Sequence, residues 1–362
     1  MSSFDIAAYF WPAYHDEPRW RPFFKGTEGE WEIIRNAKPK FPGHYQPRVP
    51  LWGFEDEASP AAMAKKIDAA ADHGVNVMIF DWYWYDNQPF LEKTIDAFLA
   101  APNVGRMKFF LMWANHDATT LWDLERSHKD EVIWPGGVDR STFDAVANRV
   151  INRYMTHPSY YRIEGKPVFS VYHINNLVNG LGGLEQARDA LDGLRGKAAS
   201  AGLGGLHLQA VVTSEIPQIP PPGGGEARHA NTLALLGFDS ATCYQWCHFV
   251  QPKGPYETWA KHSIPLWDMW TAEYSMPFFP HVSIGWDTNP RFKGLLDAVI
   301  EPSVEGFADS LQQAKAFIAR NNLQPRLITI NSWNEWGEGS YLEPDTRFGM
   351  QYLEAVKEVF GD

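Results

Sequence analysis

The chain has 362 residues, of which 44% are hydrophobic and 21% charged, an ordinary globular composition with room for a large core. Its formal charge of -12 works against nucleic acid or an anionic membrane surface as a partner, because both are bound through basic patches. No apolar run approaches the roughly 20 residues of a membrane span, so no membrane insertion is expected.

In chain order, strand and helix signals alternate. Met1–Ile6 lacks the charged and long apolar segments of a signal peptide, which makes a cytoplasmic protein the expectation. Asp5–Phe10 reads as a first strand ending in Trp11-Pro12, and a polar, aromatic loop follows from about Ala13 to Ser59. Ser59 as N-cap and Pro60 at the first helical position start a helix that Gly74 ends. Val75–Asp81 is strand two, running into Trp82-Tyr-Trp-Tyr85; a helix near 90–100 precedes strand three, Lys108–Trp113. Ser141–Thr156 reads as helix, Lys166–Tyr172 as strand four, Leu184–Ala201 as helix and Leu206–Thr213 as strand five.

A Pro/Gly cluster, Ile216–Gly225, reads as a surface loop. A short helix near 231–236 leads to strand six, Ser240–Trp246. Cys243 and Cys247 are too few for a disulfide framework; four apart in this strand, they share one face and read as core. Tyr256–Trp270 reads as helix, His281–Asp287 as strand seven, Val304–Asn321 as helix, Arg326–Ile330 as strand eight and Gly349–Phe360 as the closing helix. Eight strand-then-helix units without a linker predict a single (β/α)8 barrel over residues 1–362, of the α/β class with long βα loops. A doubly wound sheet wants fewer strands and a phosphate-binding turn, and neither GxGxxG nor GxxxxGK[ST] occurs where it should.

In such a barrel, function gathers at the carboxyl ends of the strands. Those ends carry Tyr9 and Trp11; Asp81, Trp82 and Trp84; Trp113, Asn115 and His116; Tyr172 and His173. The second half adds Ser214 and Glu215; Tyr244, Gln245 and Trp246; Trp286 and Asp287; and Asn334, Glu335 and Trp336. Sugars present apolar C–H faces edged by hydroxyls, so aromatic rings interleaved with hydrogen-bonding groups fit an oligosaccharide or polysaccharide substrate. Beyond strand eight, Glu335 and Glu338 sit three apart among Trp333, Trp336 and Tyr341, with Gly337 and Gly339 flanking the second. Two close carboxyls beside aromatic rings are what glycosidic cleavage requires, one held protonated and one ionised.

Asn334-Glu-Trp-Gly-Glu-Gly339 followed by Leu342-Glu-Pro344 resembles the C-terminal signature of the glycoside hydrolase family 99-like proteins, which include the endo-α-mannosidases and the WbsX-like proteins of bacterial surface-polysaccharide loci. Ala8-Tyr-Phe-Trp-Pro12, Phe80-Asp-Trp-Tyr-Trp84 and Trp113-Ala-Asn-His116 resemble the same group, so the likeness spans nearly the whole chain. It implies retaining cleavage of α-mannoside-type linkages with no metal or other cofactor. Carried onto this chain, Glu338 protonates the leaving oxygen and later activates water. Glu335 assists the sugar 2-hydroxyl, which attacks the anomeric carbon to form a 1,2-anhydro intermediate. Where the endo-mannosidases usually have His, this chain has Gly337, which fits the WbsX-like group better.

Three rivals remain. A glycosyltransferase would need an Asp-x-Asp pair or a phosphate-binding loop, a non-catalytic sugar-binding barrel would not need the Glu pair, and a metal hydrolase has only Asn115-His-Asp117 to offer. His116 and His173 read as hydroxyl-binding or structural. Oligomeric state has no signature here. The loop after strand one, with Trp20, Phe23, Phe24 and Trp31, is expected to wall one side of the cleft. Shortening it should raise KM for an oligosaccharide far more than for a small aryl glycoside. Equal effects on both substrates would remove it from glycan recognition.

Overall fold

The computed structural model describes residues 4–24 and 26–361. Met1–Ser3 of the N-terminal segment, Lys25 and Asp362 lie outside the described residues. Eight parallel strands form one sheet: β1 Asp5–Phe10, β2 Val77–Tyr85, β3 Lys108–Trp113, β4 Lys166–Val171, β5 His207–Val212, β6 Ser240–Cys243, β7 His281–Ser283 and β8 Leu327–Asn331. Their order is β6-β5-β4-β3-β2-β1-β8-β7, so the last strands pair with the first and the sheet curls into a barrel. Register is set by pairs such as Ala8 with Ile330 and Asp81 with Met112. β6 is joined to the run leading into β7 by the isolated bridge Ala241–Phe278 rather than by a ladder; there the Ala241 and Phe279 amides donate to the Pro277 and Ala241 carbonyls. This nearly closed (β/α)8 barrel is the predicted class. Strands covered on both sides read as near-continuous apolar runs, as Ile6–Phe10 does with every side chain buried.

The outer helices are α1 Pro60–Asp72, α2 Glu92–Leu99, α3 Arg140–Val150, α4 Leu184–Ser200, α5 His229–Leu236, α6 Tyr256–Ser263, α7 Val304–Arg320 and α8 Gln351–Phe360. Ser59 caps α1 as expected, and Asp139 and Ser303 cap α3 and α7. Four local readings change. β2 runs on to Tyr85 because it turns into a hairpin with Gln88–Phe90. β6 stops at Cys243, and Cys247 lies in a 3-10 turn, so the two cysteines do not share one strand face. The expected 256–270 helix breaks at Pro265 into α6 and Leu266–Glu273, because proline cannot donate to the preceding turn. A helix at Ile174–Leu181, capped by the His173 ring, was not anticipated.

The loop after β1 is held down by buried charge. Lys66 of α1, 1% exposed, donates to Glu57 at 2.9 Å and to Glu343. Glu57 also accepts from Asn334 Nδ2, and Glu343 accepts from Trp336 Nε1 at 3.0 Å. One ammonium therefore ties the first βα loop to the last. Burial pushes the Glu57 carboxyl from 4.5 up to about 8, with Lys66 and Asn334 only partly offsetting it. A folded-state pKa above the unfolded value means the native state holds the proton more tightly. That contribution is full below about pH 4.5 and is lost as pH rises to about 8. Between pH 5 and pH 8 the wild-type Tm should therefore fall relative to Glu57→Gln by at least about 2 °C. Thermal melts of both proteins across that range check this, and parallel curves would contradict it.

Candidate active site

Side chains alternate across a strand, and here that alternation decides what faces the cleft. On β2 and its extension, Asp81 and Tyr83 point into a cavity of about 600 Å³ at the strands' carboxyl ends. Trp82 points outward and donates to Glu92 of α2 at 2.9 Å, and Trp84 packs beside it. At the end of β3 and just beyond it, Met112, Ala114 and His116 face the cavity, whereas Trp113 packs on Phe143 of α3. Beyond β6, Tyr244 faces inward, whereas Trp246 is buried against Trp259 of α6 and donates to the His281 carbonyl.

Of the residues expected at the rim, Trp11, Asp81, His116, Tyr172, His173, Tyr244, Trp286, Glu335 and Glu338 line this cavity. Glu215 lines it too, whereas Ser214, Gln245 and Asp287 do not. Eight more also stay out of it: Trp82, Trp84, Trp113 and Trp246 belong to the helix side, and four support the site from beneath. Tyr9 lies edge-on under Tyr244 at 4.7 Å. Asn115 exchanges hydrogen bonds with the His173 backbone at 2.8 and 2.9 Å. Asn334 does the same with the Trp11 backbone, both at 2.8 Å, and so sets where Trp11 stands. Trp336 is stacked on Tyr341 at 3.9 Å behind the loop. Trp20, Phe23, Phe24 and Trp31 of the first loop are buried too; Trp20 and Phe23 back the cleft-lining Trp122 from 5.1 and 5.4 Å.

The two glutamates meet on one guanidinium. Arg291 reaches Glu338 Oε1 through Nη1 at 2.7 Å and Glu335 Oε2 through Nη2 at 3.1 Å. Its remaining face takes Glu30, Nε to Oε1 at 2.5 Å and Nη2 to Oε2 at 3.1 Å. Neither Arg291 nor Glu30 was identified from the sequence: one sits in a turn at Asn289–Arg291 and the other in the first long loop, far from any motif. Gly337 makes their meeting possible. A Cβ there would stand 2.4 Å from Glu30 Oε1 and 2.8 Å from Arg291 Nε.

Tyr244 adds a constraint on protons. Its hydroxyl lies 2.9 Å from Asp81 Oδ2 and 3.0 Å from Glu335 Oε1, and it has one hydrogen to give. Two ionised carboxylates on that oxygen would leave one without a hydrogen, so the arrangement favours a proton kept on Asp81 or Glu335. Electrostatics agree. Burial pushes Glu335 well up, and the charge of Glu338 adds to this against Arg291. Burial also raises Glu338, which Arg291 restrains, and it raises Asp81 well above the usual range despite Tyr244. Asp81 Oδ1 and Glu338 Oε2 have no protein partner, and both residues line the cavity.

The opposite wall is histidine and acid. His173 Nδ1 accepts from the Asn176 amide at 3.1 Å, so Nε2 carries the hydrogen that meets Glu215 at 2.7 Å. Burial brings His116 down to about 4, leaving it neutral at physiological pH. Asp287 does not reach the cavity. Burial would raise it, but Arg48, His44 and Asn289 hold it well below the carboxylate range, and its amide donates to the Glu338 carbonyl at 2.5 Å. Among the described residues, no group of three or more His, Cys, Asp or Glu is placed to hold a metal ion. Nor is any described helix long and apolar enough to cross a membrane.

The sequence profile of the family described as "Glycosyltransferase WbsX" matches residues 6–356. The chain belongs to this family. Over 358 residues it is 28% identical to the uncharacterized protein WxcX of Xanthomonas campestris pv. campestris, covering 98% of this chain and 49% of that protein. The chain thus spans about half the length of the curated relatives it matches. Among solved structures, the GH99 endo-alpha-mannosidase from Bacteroides thetaiotaomicron superposes with a TM-score of 0.61 at 15% identity, over 98% of this chain and 95% of that one. A protein described as glycoside hydrolase-like gives 0.66 at 14% identity, over 99% and 94%. At these identities the likeness establishes the barrel fold.

Arg291 is the one cation among Glu30, Glu335 and Glu338, so Arg291→Gln should destabilise the protein by roughly 3–5 kcal/mol at pH 8. At pH 5 the freed carboxyls take up protons and the loss should be much smaller. Denaturant unfolding at both pH values checks this, and a pH-independent loss would contradict it.

Proposed function

We propose that this barrel is a glycoside hydrolase acting on an α-linked, mannoside-like glycan. The observation that carries the reading is the pair of carboxyls on one guanidinium, with one oxygen of Glu338 unpartnered in a residue that lines the cleft. Glu338 is therefore the carboxyl free to meet a glycosidic oxygen, and a pKa raised by burial lets it bring a proton. Both oxygens of Glu335 are engaged, by Tyr244 and by Arg291, which fixes its orientation. Burial raises its pKa as well, so once ionised it is a stronger base toward a hydroxyl than an exposed glutamate.

In this mechanism Glu335 takes the proton of the sugar 2-hydroxyl as that oxygen attacks the anomeric carbon. Glu338 gives its proton to the departing glycosidic oxygen, and a 1,2-anhydro sugar results. Water, deprotonated by Glu338, then opens the ring at the anomeric carbon while Glu335 returns its proton to O2. Two inversions at that carbon give net retention. Trp11, Tyr83, Trp122 and Tyr172 supply aromatic faces for the sugar C–H surfaces. The resemblance to the endo-α-mannosidases supports the linkage, and the raised carboxyls support the proton handling.

The family's description favours a second reading, transfer from a nucleotide sugar. Against it, each guanidinium nitrogen of Arg291, the one Arg or Lys lining the cleft among the described residues, is already engaged by carboxylates. One experiment separates the two: a hydrolysis screen of α-linked glycans with wild type and Glu338→Gln. A defined sugar should be released by the wild type and the rate should fall by about 10²–10⁴-fold in the variant, with glycan binding retained. Turnover only on addition of a nucleotide sugar would replace the hydrolase with the transferase.

A further inference from the structure

Glu30 occupies a place that hydrolysis by two carboxyls does not by itself call for. It lies in the long loop after β1, 1% exposed, directly beneath the catalytic loop. Its carboxylate makes three contacts: Oε1 and Oε2 take Arg291, and Oε2 also accepts from Trp11 Nε1 at 2.5 Å. Trp11 is a wall of the cleft, and the Arg291 guanidinium sits 5.8 Å from its ring centre. The space for this clamp exists because residue 337 has no side chain.

We propose that Glu30 is a positioning residue that fixes how Arg291 is shared between Glu335 and Glu338 and holds the Trp11 indole in the cleft wall. This rests on the hydrolase reading for its meaning in catalysis, but the clamp itself is a property of the folded protein. With Glu30 in place, two edges of the guanidinium are occupied and Arg291 can offer each catalytic carboxyl only one nitrogen. Without it, Arg291 is free to rotate and to bond either one bidentately, which stabilises ionised carboxylate. The negative charge of Glu30 also opposes ionisation of both neighbours. The two effects act in one direction, so loss of Glu30 moves both catalytic carboxyls toward ionisation at lower pH.

The other titratable groups facing this cluster are Asp81 and Tyr83 from β2, Tyr14 and Glu57 from the first loop, His116 after β3, Tyr172 after β4, and Tyr244 and Cys247 after β6. Burial holds the four tyrosines and the thiol neutral across the working range, which leaves Asp81, Glu57 and His116 as the background titrations.

The test is a carboxyl-carbon NMR titration of protein labelled at glutamate Cδ, with Glu335→Gln and Glu338→Gln supplying the assignments. In Glu30→Gln the midpoints of Glu335 and Glu338 should fall by about one pH unit. In Glu30→Ala, which removes both the charge and the clamp on Arg291, they should fall in the same direction. If Glu30→Gln does not fold, Glu30→Ala decides alone. Unchanged midpoints in a folded variant would overturn the proposal. The titration needs no substrate, so it stands even if no glycan is cleaved, which would overturn the hydrolase reading separately. Where hydrolysis is found, the alkaline limb of its pH–rate profile should move down with the midpoints in Glu30→Gln; loss of rate with the limb in place would mean a merely structural residue.

Discussion

The site depends on one cation shared among three carboxylates. A buried guanidinium is tolerated only when its hydrogens are taken up, and Arg291 spends them on Glu30, Glu335 and Glu338. Arg291 and its partners come from three parts of the chain, so the same contact that offsets burial also brings the first, seventh and eighth βα loops together. With more negative groups than positive ones, the cluster retains protons at a pH where exposed carboxyls would have lost them. Stability and chemical readiness thus have a common source.

A second charged knot works beneath the first. Lys66 holds Glu57 and Glu343, and these in turn take Asn334 and the Trp336 indole. Glu335 and Glu338 are strung between these two knots on the loop after β8, which is otherwise tied by Ser332 and Ser340 to neighbouring backbone. Rigidity of this kind is what placing reacting groups requires.

Most of the architecture was legible because its signals are local. Ser59-Pro60 announces a helix start, and apolar runs such as Lys108–Trp113 announce buried strands. The Glu335–Glu338 motif was legible as a motif. What sequence patterns could not convey was direction. Trp82 and Tyr83 are neighbours in the chain, yet one faces a helix and the other the cleft, and only knowing that β2 continues to Tyr85 sorts them. Tryptophan is the more conspicuous residue, so Trp82, Trp84, Trp113 and Trp246 drew the eye while Tyr83 and Trp122 were passed over. Arg291 and Glu30 were beyond reach for a different reason: the bonds by which Arg291 joins Glu30 and Glu335 span 261 and 44 residues, and nothing in their own neighbourhoods marks them.

The pairing of Trp11 with Asn334, 323 positions further on, has a consequence for how the molecule comes into being. A ribosome delivers the first long loop and α1 early, with Glu30, Glu57 and Lys66 in them, and delivers Arg291, Asn334 and Glu343 much later. Until β8 inserts beside β1, the nascent barrel lacks a wall and those early charges have to stay hydrated. Closure joins the most distant parts of the sequence, the kind of contact that is slowest to form. The assembled site and this gain in stability should therefore arrive together, once β8 is in place.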